Sequence, residues 1–283
     1  MEIVTEATHT GIVEIASKDN QHVKLACSLQ EKKYRKEENL IIFEGKTLIE
    51  EAIKRKLEIQ SIFFEKESNI ENIFPNTNIN FFKVSQEILE KISSTKTSAP
   101  LIAIAKKPEM QDPLTNNNPS ETNKSTGEIF LFCENLQDPG NLGSIIRTAY
   151  AAGVKAIYLS PDCADIFNPK TIRSSMGAIF CGPIIYQEFA TLKENFKSFC
   201  SQQETSYEVI ATSSYANSSF DEININKMKN FLLLVGNESK GLKEETIKAS
   251  TINTKIPLLN NIESLNVLSA TSIILFDLKN KLN

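Results

Sequence analysis

A chain of 283 residues with 41% hydrophobic and 23% charged residues holds enough apolar material for two ordinary globular domains, and is neither fibrous nor wholly disordered. A net charge of −4 excludes a general nucleic-acid coat, which needs a strong positive field, but leaves room for a local basic face. Five cysteines with no C-x-x-C pair, and only two histidines, point to reduced thiols in a cytoplasm and to no metal site.

The first residues mix Glu6, His9 and Glu14 with apolar ones. No stretch approaches the roughly 20 apolar residues that span a bilayer, so a soluble, unexported chain is expected. Lys18, Lys24, Lys32, Lys33, Arg35 and Lys36 form a basic concentration that Glu31, Glu37 and Glu38 partly offset. Two readings of it stand side by side, a solvated helix surface and a face that docks nucleic acid. Short apolar strands are predicted at Ile41-Ile42-Phe43, Ile59 to Phe64 and Leu101 to Ala105, with a helix carrying Leu48, Ile49, Ala52 and Ile53. From Met110 to Thr126 polar residues displace nearly all apolar ones, as in a flexible linker. The expected division is a small α/β domain over residues 1–108, a linker over 109–127 and a second domain over 128–283.

Past the linker, Ile129 to Cys133, Ala156 to Leu159 and Phe231 to Val235 are continuously apolar, as strands covered on both faces tend to be. Helical patterns separate them. The expected fold class is therefore α/β, a mostly parallel sheet with helices on both faces, whose ligands sit beyond the carboxyl ends of the strands.

Three sequence blocks lie at such ends. In Asp138-Pro139-Gly140-Asn141-Leu142-Gly143 a turn leads into a helix with Asn141 as a good N-cap and Leu142, Ile145, Ile146 and Ala149 as its apolar stripe. Arg147 falls roughly 140° around that helix from Leu142 and points away from the core. Such an arginine is ordinarily a solubility residue, but a helix that begins beyond a buried strand also favours anions. Gly236-Asn237-Glu238 follows the next apolar strand, where glycine permits close backbone approach to a ligand; taken alone, it reads better as a strand-to-helix turn with an exposed acid. Ser264-Leu265-Asn266 closes a polar loop that begins near Ile256, and Ser264 is a natural N-cap for the helix that follows.

In this order the three blocks resemble the motifs of the SpoU, or TrmH-like, RNA ribose methyltransferases of the SPOUT superfamily. The segment Asn168 to Ala178, which contains Arg173, is also similar to a connecting motif of that family, so the resemblance runs from about Glu128 to Leu282. It implies a deep trefoil knot in the C-terminal part, a topology that sequence pattern alone never reveals. It also implies S-adenosylmethionine as cofactor, held against the knot loops with Gly236, Ile256 and Leu265 at the matching contacts. Asn141, Arg147, Glu238, Ser264 and Asn266 are the polar residues carried over to the catalytic site, and a homodimer completes it.

The implied reaction is 2′-O-methylation of RNA, with ribosomal RNA favoured over transfer RNA. Arg147 is read as positioning a phosphate and stabilising a developing alkoxide, because a guanidinium holds its proton too firmly for proton abstraction to be cheap; a base role stays open. Three departures from the family pattern stand out: Leu258 in place of Met, Asn260 in place of Gly, and Leu268 at a usually small position. Asn is the non-glycine residue that best tolerates a left-handed backbone, so the Asn260 turn is expected to survive.

The stretches Asn20 to Lys24 and Phe43 to Lys46 are similar to parts of the substrate-binding module that often precedes this catalytic domain. That resemblance makes Lys18, Lys24, Lys33 and Arg35 expected RNA contacts, joined by Arg173 of the connecting motif, with His22 a helix-surface residue. Two other readings remain in view. One is a catalytically silent RNA-binding protein of the same fold; the other is a dinucleotide-dependent oxidoreductase, whose G-x-G-x-x-G turn follows none of the predicted strands.

Overall fold

The computed structural model describes residues 11–65, 70, 74, 79–95, 99–115, 127–213, 216–223 and 229–282. Glu6, His9 and positions 116–126 of the expected linker lie outside the described residues. The chain divides into two compact units, Met1–Glu109 with Asp165–Phe180, and Met110–Ala164 with Cys181–Asn283.

The first unit begins with strand β1 (Ile12–Ile15), helices α1 (Gln21–Ser28) and α2 (Lys32–Glu37), strand β2 (Leu40–Glu44) and helix α3 (Lys46–Lys54). Strands β3 (Ile59–Phe64) and β4 (Asn80–Val84), helix α4 (Gln86–Ile92) and strand β5 (Leu101–Lys106) follow. The strands form one mixed sheet in the order β1-β4-β3-β5-β2. Asn20 starts α1 by accepting the His22 N–H at 2.8 Å, which frees Val23, Ala26 and Leu29 to pack with Phe63, Phe82, Ile88 and Ile104 in the core.

Strand β6 (Ile129–Cys133), helix α5 (Pro139–Ala151) and strand β7 (Ala156–Leu159) open the second unit. Helix α6 (Pro169–Ser175) then packs against β2 of the first unit. By its contacts Asp165–Phe180, which follows the expected linker in the chain, groups with the N-terminal sheet. Described residues of the expected linker pack on the second unit. The Asp112 carboxylate accepts the Tyr158 hydroxyl at 2.6 Å, and Leu114 is buried in the core of the second unit.

The second unit continues with β8 (Ile184–Tyr186), α7 (Phe189–Gln202), β9 (Ser206–Thr212), β10 (Ser218–Ser219), β11 (Lys229–Val235), α8 (Glu244–Lys248), β12 (Ile252–Lys255) and α9 (Val267–Leu282). Its seven strands are parallel throughout, in the order β10-β12-β9-β11-β6-β7-β8. All five residues of β6 are buried, and so are Asn230 to Val235 of β11, which accounts for their unbroken apolar runs. Helix α7 lays Leu192, Phe196 and Phe199 on this sheet at helical spacing, and Phe130 meets Phe196 and Phe199 edge-on at 5.3 and 5.6 Å. Helix α9 packs against α5, where the Lys279 ammonium donates to the Ala151 carbonyl at 3.4 Å. Among the described residues no helix is long and apolar enough to cross a membrane.

Candidate active site

The site grows from the carboxyl ends of β6 and β11, adjacent parallel strands whose last residues, Cys133 and Val235, lie opposite each other. Beyond β6 the chain reaches Asp138, and there the structure corrects one sequence expectation. The N-cap of α5 is Asp138, whose carboxylate accepts the Asn141 backbone N–H at 2.8 Å, with Pro139 in the first turn. Proline suits that position because it has no N–H to leave unbonded. Asn141 is thus inside the first turn and its side chain is free for other work: Nδ2 donates to Glu238 Oε1 at 2.9 Å. Two turns on, Arg147 is exposed, and its guanidinium makes no hydrogen bond or ion pair among the described residues.

Beyond β11 the loop folds tightly on itself. A Cβ built on Gly236 would lie 2.2 Å from the Gly241 carbonyl carbon and 2.3 Å from the Leu242 nitrogen, so no larger residue fits. Asn237 organises the turn. Its N–H and carbonyl pair with Gly241 at 3.1 and 2.9 Å, its Oδ1 accepts the N–H groups of Ser239 and Lys240, and its Nδ2 donates to the Asn135 carbonyl at 2.8 Å. Glu134, the buried residue after β6, accepts the Lys243 N–H at 2.7 Å and the Thr246 hydroxyl at 2.8 Å. Asp138 and Asn237 belong to the sequence blocks and Glu134 follows an apolar strand, but none of the three is among the expected site residues. The available signals were an Asp-Pro pair at a helix start and a lone acid ending an apolar strand.

The third block contains a second correction. Asn266, not Ser264, caps α9, accepting the Leu268 N–H on its Oδ1 at 2.8 Å. Ser264 is exposed and stands free of that role. Upstream, Asn260 and Asn261 take φ of 59° and 57°, so the asparagine that replaces a frequent glycine does adopt the left-handed turn.

Gly236, Glu238, Ile256, Ser264 and Leu265 line one cleft of about 410 Å³, whose walls also include Leu242, Leu258 and Ile274. Asn141 joins this group through Glu238, and Asn266 lies between lining residues Leu265 and Val267. Arg147 is not among the lining residues.

In the first unit, Lys18, Lys24 and Lys33 are exposed, but each lies within ion-pair distance of an acid, Glu87, Asp19 and Glu37 respectively. Arg35 is the third correction. It is 3% exposed and its guanidinium is spent on the carbonyls of Leu29 and Gln30 and on the Asp165 carboxylate, so it presents nothing to a phosphate. Arg173 is half-exposed, with Nη1 donating to Ser94 Oγ at 3.0 Å and to Glu44 at 3.4 Å. His22 is partly buried and stacks on Phe82, with ring centroids 4.4 Å apart.

Residues 128–276 match the model of the SpoU rRNA Methylase family, and residues 20–103 match that of the MRM3-like substrate binding domain. The chain is 30% identical to the 23S rRNA (guanosine(2553)-2′-O)-methyltransferase RlmP of Bacillus subtilis, over 94% of this chain and 99% of that one. It is 28% identical to the mitochondrial rRNA methyltransferase 3 of Xenopus laevis, over 93% of this chain and 74% of that one. The crystal structure of an AdoMet-bound rRNA methyltransferase from Sinorhizobium meliloti is similar with a TM-score of 0.82 and 26% identity, covering 96% of this chain and 99% of that one. The order of the motifs and the parallel sheet agree with these likenesses, and the chain belongs to the SpoU rRNA methylase family.

Proposed function

We propose that this SpoU-family methylase methylates a ribose 2′-oxygen of ribosomal RNA, with its cofactor in the cleft of Gly236, Ile256 and Leu265 and its RNA on the side of Arg147. The observation that carries the site assignment is the Asn141–Glu238 hydrogen bond. It couples the helix bearing Arg147 to the loop lining the cleft.

S-adenosylmethionine is the cofactor, and the cleft fits it. Its volume of about 410 Å³ is in the range of small-molecule sites. Leu242, Ile256, Leu258, Leu265 and Ile274 offer an apolar wall to an aromatic base, and Glu238 and Glu263 bring negative charge to a cationic ligand. The tight Gly236 turn keeps backbone groups at the surface of the cleft. When bound, S-adenosylmethionine supplies an electrophilic methyl group on a sulfonium centre.

The side chains then have distinct tasks. Methyl transfer needs the ribose oxygen held in line, so positioning comes first. Arg147, free of internal partners among the described residues, grips an RNA phosphate through its planar fork and offsets charge growing on the ribose oxygen. Asn141 and Glu238 hold each other and keep the loop in register with the helix. Ser264, exposed on the cleft, offers its hydroxyl to the ribose, while Asn266 fixes the start of α9 behind it and leaves its Nδ2 for a carbonyl or hydroxyl.

The proposal includes a homodimer, a knot and a cytoplasmic site of action. Ile273 and Phe276, one turn apart on α9 and 48% and 41% exposed, support a partner surface. Support for the knot comes from the chain path: β12 lies beyond β9 in the sheet, yet α9 returns to pack on α5, the connection between β6 and β7. Five free cysteines fit a reducing compartment. Exposed Lys18, Lys24 and Lys33, together with half-exposed Arg173, are the proposed RNA contacts of the first unit.

Large-subunit ribosomal RNA is the proposed target class, in line with the 23S rRNA named for the Bacillus subtilis relative. Mapping 2′-O-methyl sites across total RNA from cells with and without the gene tests this. Loss of a large-subunit site is expected on deletion; loss confined to transfer RNA would change the target, and no loss at all would favour a silent RNA-binding role.

A further inference from the structure

The loop from Gly236 to Leu242 faces the cleft, yet what holds its far end is not in the cleft. Leu242 and Ile247 both line the cavity, and the residues between them are tied to the end of strand β6. Glu134 supplies that tie. It is 3% exposed, its Oε2 accepts the Lys243 N–H at 2.7 Å, and its Oε1 accepts the hydroxyl of fully buried Thr246 at 2.8 Å. Its own N–H donates to the Val235 carbonyl at 2.8 Å, so it is anchored to the last residue of β11 as well. No cation pairs with this carboxylate among the described residues.

A buried carboxylate is costly unless its oxygens are bonded, and an apolar side chain of similar size serves packing as well or better. Packing therefore does not account for an acid here. Its specific contribution is the pair of bonds that closes the loop at Lys243, opposite the Asn237–Asn135 bond that closes it at its start. We propose that Glu134 is a positioning residue that sets affinity for S-adenosylmethionine by fixing the Gly236–Leu242 loop from behind. This rests on the reading of the cleft as the cofactor site.

The test uses the full chain, with calorimetric titration of S-adenosylmethionine and steady-state methyl transfer to ribosomal RNA from cells lacking the gene. Glu134→Met removes both acceptors and is expected to raise the Kd and KM for S-adenosylmethionine about ten- to a hundred-fold, the scale of lost bonds to a charged group. KM for RNA and kcat at saturating cofactor should stay within about two-fold, since only cofactor binding is touched. Glu134→Gln should restore most of the affinity. Its amide oxygen can accept from Lys243 while its NH2 donates to the Thr246 hydroxyl, which rotates to accept.

Thr246→Val, which deletes one of the two donors, should fall between, and it carries the test if Glu134→Met does not fold. Lys248→Ala, in an exposed pair with Glu244 on the same short helix, is the control expected to change nothing. Equal loss in the Met and Gln variants, wild-type affinity in Thr246→Val and Glu134→Met, or a parallel rise in KM for RNA would overturn the proposal. A wild-type chain that binds no S-adenosylmethionine would instead overturn the reading of the cleft, and this inference with it.

Discussion

Asn141 and Glu238 are 97 residues apart in the chain and 2.9 Å apart in the fold, with the amide Nδ2 donating to the carboxylate Oε1. One sits in the first turn of α5, the other in the loop after β11, so the bond measures whether the two blocks act together. A double-mutant cycle with Asn141→Ala and Glu238→Ala on the rate of methyl transfer should give a coupling of about 1 kcal/mol, near the value for a hydrogen bond to a charged group discounted for its exposure. Additive losses would mean that the two residues serve the reaction independently.

Arg147 is exposed and unbonded among the described residues, and it does not line the cleft. Arg147→Ala should therefore abolish methyl transfer while leaving S-adenosylmethionine affinity within about two-fold, the signature of an interaction made only with RNA and in the transition state. Arg147→Lys keeps the charge but loses the planar fork, and should recover little activity. Cofactor affinity that fell together with turnover in Arg147→Ala would refute this separation of tasks.

What the sequence made legible follows from how local each signal is. The apolar runs of β6, β7 and β11 and the outward position of Arg147 rest on periodicity, which a few neighbouring residues determine. The expected caps differ from the observed ones for a local reason too: serine and asparagine near a helix start are favoured cap residues, while the fixed geometry of Pro139 makes Asp138 the cap. Asn266 won over Ser264 because the helix begins later, at Val267.

Other features depended on residues far apart in the chain. Arg35 lies in a run of lysines, and nothing near it announces that Asp165, 130 positions on, takes its charge. The Glu134 contacts and the grouping of Asp165–Phe180 with the N-terminal sheet are equally long-range.

The cysteines give a prediction about reactivity. Burial pushes the thiols of Cys133, Cys163 and Cys200 upward in pKa, and that of half-buried Cys27 as well, so each holds less thiolate at a given pH than a free cysteine. Cys181 is exposed. Alkylation near pH 8 followed by mass spectrometry should label Cys181 first and Cys27 more slowly. The other three should react only on unfolding. Early labelling of Cys133 would contradict its burial.

Arg35 and the exposed lysines around it should separate cleanly by experiment. Arg35 donates through Nη1 to Leu29 and Gln30 carbonyls at 2.8 and 2.7 Å and through Nη2 to Asp165 at 2.6 Å, with side-chain exposures of 4% and 16% for the pair. Removing one partner of such a pair leaves the other charge buried, so Arg35→Ala should lower the unfolding free energy by about 3–5 kcal/mol in urea melts. Lys18→Ala, Lys24→Ala and Lys33→Ala break only solvent-exposed pairs and should stay within about 0.5 kcal/mol of the parent. Their effect should appear in RNA binding, as a weaker affinity and a shallower dependence on salt concentration. A stable Arg35→Ala with weakened RNA binding would return Arg35 to the RNA-facing surface, against its burial.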